Sequence, residues 1–366
     1  MLNFGVCAQG TKLVLSAAAV RFSMANASSA LALVRQFKPV ASAARRAAPG
    51  DCFHAERGGD SLYCLPTVIN IGVQKAGTGE LQTWLGVHPQ VLAHGGEVHF
   101  FDGMRSRSCH SAFQAGKTRL RYAKHLWRRR PLQASSVADR VIFEKTPAYF
   151  DEASPQVVSC VMPGVRLVVM LRRPVERAYS AYRMCQRELK GRWCRLPFDT
   201  VVAKLIHGEP PRASRKTLDD EPQWSRMLLM GQYALHLRRW LRAFEPAQMR
   251  IFWLEQFKRD PFLCMSLLER YMGIAHHDYH QRATRNQAGY WVVGKSKTNA
   301  ASTSEAAAAR LATPGDKASS STHISAESKA TLEAFYAPWQ RRLLKLMREN
   351  NVSLLPIPAD AVDAPG

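Results

Sequence analysis

The chain has 366 residues, with 51 Lys and Arg against 29 Asp and Glu, a formal net charge of +22, and 46% hydrophobic residues. That apolar content supports a substantial core and excludes a wholly disordered chain, a collagen-like repeat and a small disulfide-stapled scaffold. No run of about 18 apolar residues marks a membrane-spanning helix, and the positive surplus points to a polyanion: nucleic acid, an acidic glycan, a membrane surface or a phosphorylated small molecule.

Residues 1–50 carry six basic residues (Lys12, Arg21, Arg35, Lys38, Arg45, Arg46) and no acid. This Ala- and Ser-rich leader reads either as an organellar transit peptide or as a weak secretory signal, anchor or stalk built on Leu13 to Val20. Residues 51–65 read as a linker. Thr67 to Val73 (TVINIGV) is a β-branched strand, and Gly77 to His88 follows with helical spacing through Leu81, Trp84 and Leu85. Val141 to Glu144 predicts a short strand, and Val165 to Leu171 (VRLVVML) is the continuous apolar run of a parallel strand buried on both faces. Pro174 suits the first turn of the next helix. Helices are expected over Trp224 to Ala243 and Pro261 to Tyr271, with a strand at Met249 to Leu254 between them. Residues 300–322 read as a flexible Ala/Ser/Thr-rich insertion, Ser325 to Asn350 as an amphipathic helix, and 353–366 as a disordered tail. The alternation implies an α/β protein with a mainly parallel sheet.

Two smaller signals bear on compartment and partner. None of the eight cysteines forms a CxxC pair, which argues against zinc and thioredoxin-like sites. Cys52/Cys64 and Cys185/Cys194 are spaced either for disulfides or as buried free thiols, and the Asn26 and Asn351 sequons are compatible with secretion. Residues 101–150 hold 11 Lys or Arg against three acids, including Arg128, Arg129 and Arg130. A solvated helix face or a landing strip for an anionic polymer would each produce that run.

In an open α/β sheet, ligands bind beyond the carboxyl ends of the strands. The first such end is Gly72-Val-Gln-Lys75-Ala76-Gly77-Thr78-Gly79. Its glycines admit an anion close to the backbone, the following helix offers unpaired N–H groups, and Lys75 adds a point charge. The Lys precedes the second Gly, so this is not the Walker pattern. The second end is Leu171-Arg172-Arg173-Pro174, with Ser180 about two helical turns on, where a guanidinium and a hydroxyl suit a second phosphate. Arg177 reads as an ion-pair partner of Glu176 or another neighbour.

Four ordered stretches carry a family resemblance. Gly72 to Leu81 resembles the 5′-phosphosulfate loop of the sulfotransferases, and Leu171 to Tyr182 resembles their 3′-phosphate motif. Glu97-Val-His99-Phe-Phe-Asp102 and Glu144-Lys145-Thr146-Pro147-Ala-Tyr149-Phe150 narrow it to the heparan sulfate enzymes: the glucosaminyl 3-O-sulfotransferases and the N-sulfotransferase domain of the bifunctional N-deacetylase/N-sulfotransferases. Gly231 to Leu241 is similar to the same family. The resemblance covers roughly 66–299 and resumes at 323–352. It implies a single sulfotransferase domain over 66–352, with a P-loop-like central parallel sheet flanked by helices, and no deacetylase domain ahead of it.

By the same resemblance the donor substrate is 3′-phosphoadenosine 5′-phosphosulfate (PAPS), with no metal expected, and the acceptor is an acidic glycan, not a nucleic acid. Glu97 matches the general base that takes the proton of an acceptor hydroxyl or amine. His99 and Asp102 match neighbours that orient the acceptor or Glu97. Lys75 and Lys145 match the cations of the reacting centre. Lys75, Ala76, Gly77, Thr78 and Gly79 would cradle the 5′-phosphate, Arg172 and Ser180 would hold the 3′-phosphate, and Lys297 of a late basic loop would close over the donor. Tyr290 and Trp291 either stack on the adenine or fill the core. Gly79, Arg173 and Thr298-Asn299 depart from the family pattern, and the late loop lacks its cysteine pair. The implied location is the Golgi lumen, with membrane attachment through the N-terminal segment as one reading of the leader. A magnesium-dependent kinase using the Gly72 loop and a non-catalytic polyanion binder are the competing functions. The basic surplus lies between Glu97 and Lys145, which favours the acidic glycan.

Overall fold

A computed structural model describes residues 52–55, 59–102, 111–188, 193–207, 226–294 and 324–358. The leader at 1–50, the insertion at 300–322 and Lys297 lie outside the described residues. The chain opens on β1 (Cys52–His54) and β2 (Ser61–Cys64), an antiparallel pair whose register sets Cys52 opposite Cys64 and joins them in a disulfide. The linker expected over 51–65 is thus corrected to a hairpin. Leu62 and Cys64 are buried, and the Trp127 indole N–H donates to the Cys64 carbonyl at 2.7 Å. The hairpin is short and lacks a long alternating pattern, so composition alone gave it no strand signal.

There follow β3 (Val68–Gly72), α1 (Thr78–Leu85), β4 (Val91–Ala93), α2 (Ala112–Leu126), β5 (Leu132–Gln133), α3 (Ala134–Val137), β6 (Val141–Lys145), α4 (Tyr149–Glu152), α5 (Pro155–Val161) and β7 (Arg166–Leu171). The second half adds α6 (Pro174–Glu188), α7 (Phe198–His207), α8 (Tyr233–Leu241), β8 (Met249–Trp253), α9 (Leu254–Arg259), α10 (Pro261–Met272), the β9 (Ala283–Arg285) and β10 (Trp291–Val293) pair, and α11 (Ala326–Glu349). Five strands form one parallel sheet in the order β4-β6-β3-β7-β8. Every residue of β3 and β6 is buried, as strands covered by helices on both faces require. From central β3 the chain goes first to one edge and then, after β6, across to β7. That reversal brings the carboxyl ends of β3, β6 and β7 side by side at one rim of the sheet.

The helix expected over Trp224 to Ala243 is broken in its described part. Gly231 lies against the Tyr336 ring, where a Cβ would meet Cε1 at 2.6 Å, and α8 starts only at Tyr233. Residues 353 and 354, expected within a disordered tail, instead pair with the sheet. Ile251 N–H donates to the Val352 carbonyl and Leu354 N–H to the Ile251 carbonyl, each at 2.8 Å, so residues 352–354 run along β8. Cys185 and Cys194 are also joined in a disulfide, while Cys264 is a buried free thiol.

Helix α1 is anchored by Leu81, Trp84 and Leu85. The Trp84 ring sits 5.7 Å from Phe257 and 5.5 Å from both Phe262 and Tyr279, and its indole N–H donates to Glu80 at 3.0 Å. Trp84→Ala is expected to cost about 3–5 kcal/mol of stability, measured as a lowered urea midpoint. A midpoint equal to that of the wild type would mean that α1 is held by something else.

Candidate active site

Two left-handed residues, Lys75 (φ 70°) and Gly77 (φ 84°), curl the chain between β3 and α1. At Gly77 a Cβ would fall 2.6 Å from a Leu254 methyl, so both conformation and space demand glycine. Helix α1 has no side-chain cap, which leaves first-turn N–H groups available to an anion. Gly79 sits in open space at that turn, Ala76 is buried behind it, and Thr78 is buried. Lys75 holds its strained φ with help from Arg172, whose Nη1 donates to the Lys75 carbonyl at 3.2 Å. The Arg172 carbonyl in turn accepts from the Tyr233 hydroxyl at 2.7 Å.

The Lys75 ammonium is half-buried and donates to the Met184 sulfur at 3.5 Å. Burial lowers its pKa first, then the positive charges of Arg187 and Arg172, against the opposing pull of Glu188 and Glu97. An ammonium crowded by cations in a dry place gains most from an incoming anion. Ser180 lies one turn before Met184 on α6, hence on the helix face that meets Lys75. Met184 and Arg187 were missed from the sequence; only their i+4 and i+7 spacing from Ser180 pointed to them. Arg177 is corrected: Glu176 pairs with Arg173 at 3.2 Å, while the fully buried Arg177 guanidinium donates to the Met227 carbonyl.

The second half of the site is the turn from Glu97 to Asp102, between β4 and α2. Lys145, the last residue of β6, donates from Nζ to Glu97 Oε1 at 2.8 Å. His99 bridges two carboxylates, with Nε2 3.1 Å from Glu97 Oε2 and Nδ1 2.5 Å from Asp102 Oδ2. Carboxylates only accept, so both contacts together require protons on both ring nitrogens. Burial opposes protonation of His99, but Asp102 and Glu97 outweigh it and raise the pKa. His99 takes φ 52°, another left-handed non-glycine.

What holds that turn is a buried network. The Thr146 hydroxyl accepts the Val98 N–H at 2.8 Å and donates to Glu144. Tyr122 also donates to Glu144, at 3.2 Å, the Tyr149 hydroxyl accepts the Phe100 N–H at 3.1 Å, and a His125 ring nitrogen lies 3.0 Å from the Val98 carbonyl. Tyr122 and His125 belong to α2, so the basic run at 101–150 includes a helix that buttresses the 97–102 turn. Lys124 and Arg128 to Arg130 are exposed.

Burial pushes the Glu144 carboxyl up to about 8, against the hydrogen bonds from Thr146 and Tyr122 that favour its ionised form. A raised folded-state pKa means the fold binds the proton more tightly than the unfolded chain. The stabilisation is therefore complete below 4.5 and is lost as pH rises through about 8. Unfolding midpoints should fall between pH 6 and pH 9, and Glu144→Gln should narrow that fall. An unchanged difference between the two pH values would reject the assignment.

The structure thus brings together Lys75, Arg172, Glu97, His99, Asp102 and Lys145, with Lys75 and Glu97 in electrostatic reach of each other. Tyr290 stays 42% exposed under Lys258, 4.6 Å from its ring centroid, and Trp291 packs on Phe262 at 5.3 Å. Among the described residues, no group of three or more His, Cys, Asp or Glu is arranged to hold a metal ion, and no helix is long and apolar enough to cross a membrane.

Residues 65–346 match the family model described as "Sulfotransferase domain". The chain is 29% identical over 236 residues to the mouse (Mus musculus) bifunctional heparan sulfate N-deacetylase/N-sulfotransferase 4, covering 62% of this chain and 24% of the relative. It is 32% identical over 213 residues to the human (Homo sapiens) heparan sulfate glucosamine 3-O-sulfotransferase 3B1, covering 57% of this chain and 46% of the relative. The chain thus spans less than half the length of either. Among solved structures, a sulfotransferase from Alicyclobacillus acidocaldarius aligns with TM-score 0.53 at 21% identity, over 78% of this chain and 96% of that one, a likeness of fold.

Proposed function

The chain belongs to the sulfotransferase domain family, and from that premise we propose that it moves a sulfuryl group from PAPS to a hydroxyl or amine of an acidic, heparan sulfate-like glycan. The observation that carries this reading is the approach of two chemistries at one sheet rim: the half-buried Lys75 ammonium of a glycine-rich loop feels the charge of Glu97, a carboxylate held by Lys145 and His99.

The residues present fit the donor. Lys75, Ala76, Gly77, Thr78 and Gly79 would bind the 5′-phosphosulfate through backbone N–H groups and the Lys75 charge, because no side chain caps the first turn of α1. Arg172 and Ser180 would hold the 3′-phosphate, and Lys297 would close over the donor. Glu97 takes the proton of the acceptor group as its oxygen or nitrogen bonds to sulfur and the sulfur–oxygen bond to the phosphate breaks. Adenosine 3′,5′-bisphosphate leaves with the electron pair. Lys75 and Lys145 stabilise charge on the sulfuryl and phosphate oxygens, a role of position and electrostatics with little covalent work. His99 and Asp102 are positioning residues that aim Glu97. The Cys52–Cys64 and Cys185–Cys194 disulfides support an oxidising compartment, consistent with the Golgi lumen.

Incubation of the full chain with sulfur-35-labelled PAPS and a panel of heparan, N-desulfated heparan and chondroitin acceptors tests the proposal. Label in the glycan supports it, and disaccharide analysis then reads the position. The absence of both transfer and calorimetric binding of adenosine 3′,5′-bisphosphate would overturn it. Magnesium-dependent turnover of ATP in place of PAPS would favour a kinase.

A further inference from the structure

Glu144, next to last in β6, is fully buried, and its carboxyl group meets hydroxyls: Oε1 faces Thr146, and Oε2 faces Tyr122 at 3.2 Å. The neighbouring Lys145 gives its ammonium to Glu97 instead, at 2.8 Å. Around Glu144 stand Tyr149 of α4, Glu97 of the turn and Lys145 of its own strand. The charge of Asp102 reaches Tyr149, while His94, after β4, feels Lys145 and His125 of α2. From β3 comes the apolar Ile69, its register partner.

One hydroxyl on Glu144 holds the 97–102 turn directly, and the other does so through Tyr149. Thr146 Oγ1 accepts the Val98 N–H at 2.8 Å and the His99 N–H at 3.5 Å. The Tyr149 hydroxyl accepts the Phe100 N–H at 3.1 Å and lies in hydrogen-bond reach of Tyr122. Three consecutive amides next to Glu97 thus end on one buried cluster. An ionised Glu144 takes protons from both Thr146 and Tyr122. A neutral Glu144 takes only that of Thr146, donates its own to Tyr122 and releases the Tyr122 proton to Tyr149. The neutral form closes one chain from Thr146 to Tyr149; the ionised form cuts it at Tyr122 and leaves a charge in a dry place.

We propose that Glu144 is a positioning residue of the transfer: as a neutral acid it fixes Thr146 and Tyr149, which hold the 98–100 backbone and so aim Glu97 and His99. This rests on the reading of the chain as a glycan sulfotransferase. Glu144 touches no reacting atom. It acts through geometry, because a group misplaced by about 1 Å can cost about 10²-fold in rate. Burial raises the Glu144 carboxyl to about 8, so charge develops on it as pH rises past that value. The rate then carries an alkaline loss that belongs to Glu144 and not to the reacting centre.

The test measures kcat from pH 7 to pH 9 in the full chain with PAPS and a heparan-type acceptor. The wild type should lose about tenfold more kcat over that range than Glu144→Gln, whose amide reproduces the neutral acid, with the PAPS KM unchanged. Thr146→Val should lower kcat about 10²-fold at pH 7, and Thr146→Ser should restore it. Independently of activity, the carbon-13 signal of the Glu144 carboxyl and the nitrogen-15 signals of the Val98 and Phe100 amides should titrate with one midpoint in the wild type. Parallel pH profiles for wild type and Glu144→Gln, a Glu144 already ionised at pH 7, or amides that ignore its titration would overturn the proposal. A shared midpoint in a chain that sulfates no acceptor keeps the link from Glu144 to the turn and removes the activity. The wild-type signals decide that link even if a variant fails to fold.

Discussion

Glu97→Gln is expected to lower the kcat of sulfuryl transfer by about 10²–10⁴-fold while leaving the affinity for adenosine 3′,5′-bisphosphate unchanged. Glutamine keeps the shape of the side chain and can still accept a hydrogen bond from Lys145, which now lies 2.8 Å from Oε1. It has no site for the acceptor's proton, and its NH₂ group would face the His99 Nε2–H across a contact now 3.1 Å long. The loss should therefore fall on kcat, with the donor loop intact, and single-turnover kinetics beside product calorimetry separates the two. A variant that retains more than about a tenth of wild-type kcat would remove Glu97 from the role of base.

Lys75→Ala is expected to act on both donor affinity and rate, with about 10²–10³-fold off kcat from the lost electrostatic contact. Its ammonium is half-buried, and its pKa is lowered first by burial and then by Arg187 and Arg172. Removing it deprives the donor of the one lysine charge in the loop, while the Arg172 contact to the residue 75 carbonyl is backbone-directed and survives the substitution. Alanine at φ 70° is about as strained as lysine there, so the fold should tolerate the change. Lys75→Arg should restore binding more than rate, because a longer, planar fork places its charge differently. Equal kcat in wild type and Lys75→Ala would mean that the loop binds the donor without taking part in the transfer.

The parts of the fold legible in the sequence were those with strong local patterns. β3 and β7 are strands of largely apolar, mostly β-branched or aliphatic residues, Pro174 does open α6, and Leu81, Trp84 and Leu85 do bury one face of α1. The hairpin of β1 and β2 was not legible, because three- and four-residue strands held by a cross-strand disulfide leave little periodicity to read. The break at Gly231 was equally hidden: it depends on the Tyr336 ring, 105 positions later in the chain.

The candidate site divides along the same line. By itself the sequence determined which chemical groups stand at the strand ends: an ammonium in a glycine turn, a guanidinium leaving a buried strand, and a Glu-His-Asp turn ahead of a Lys-Thr-Pro strand end. Local chemistry is written in the residues and their spacing, and it needs no distant partner to be read. Only the tertiary structure decided that Glu97 is gripped by Lys145 from 48 positions away, that His99 joins Glu97 to Asp102, and that Thr146 and Glu144 hold the turn from below. The reason is the parallel sheet itself. Its strand order gathers the carboxyl ends of β3, β6 and β7 at one rim, and the register of those strands sets side chains far apart in sequence within hydrogen-bond reach. The surplus of positive charge was plain from composition, but its relation to the candidate site came from the packing of α2, which places Tyr122 and His125 against the network of the 97–102 turn and leaves Lys124 exposed on the same helix.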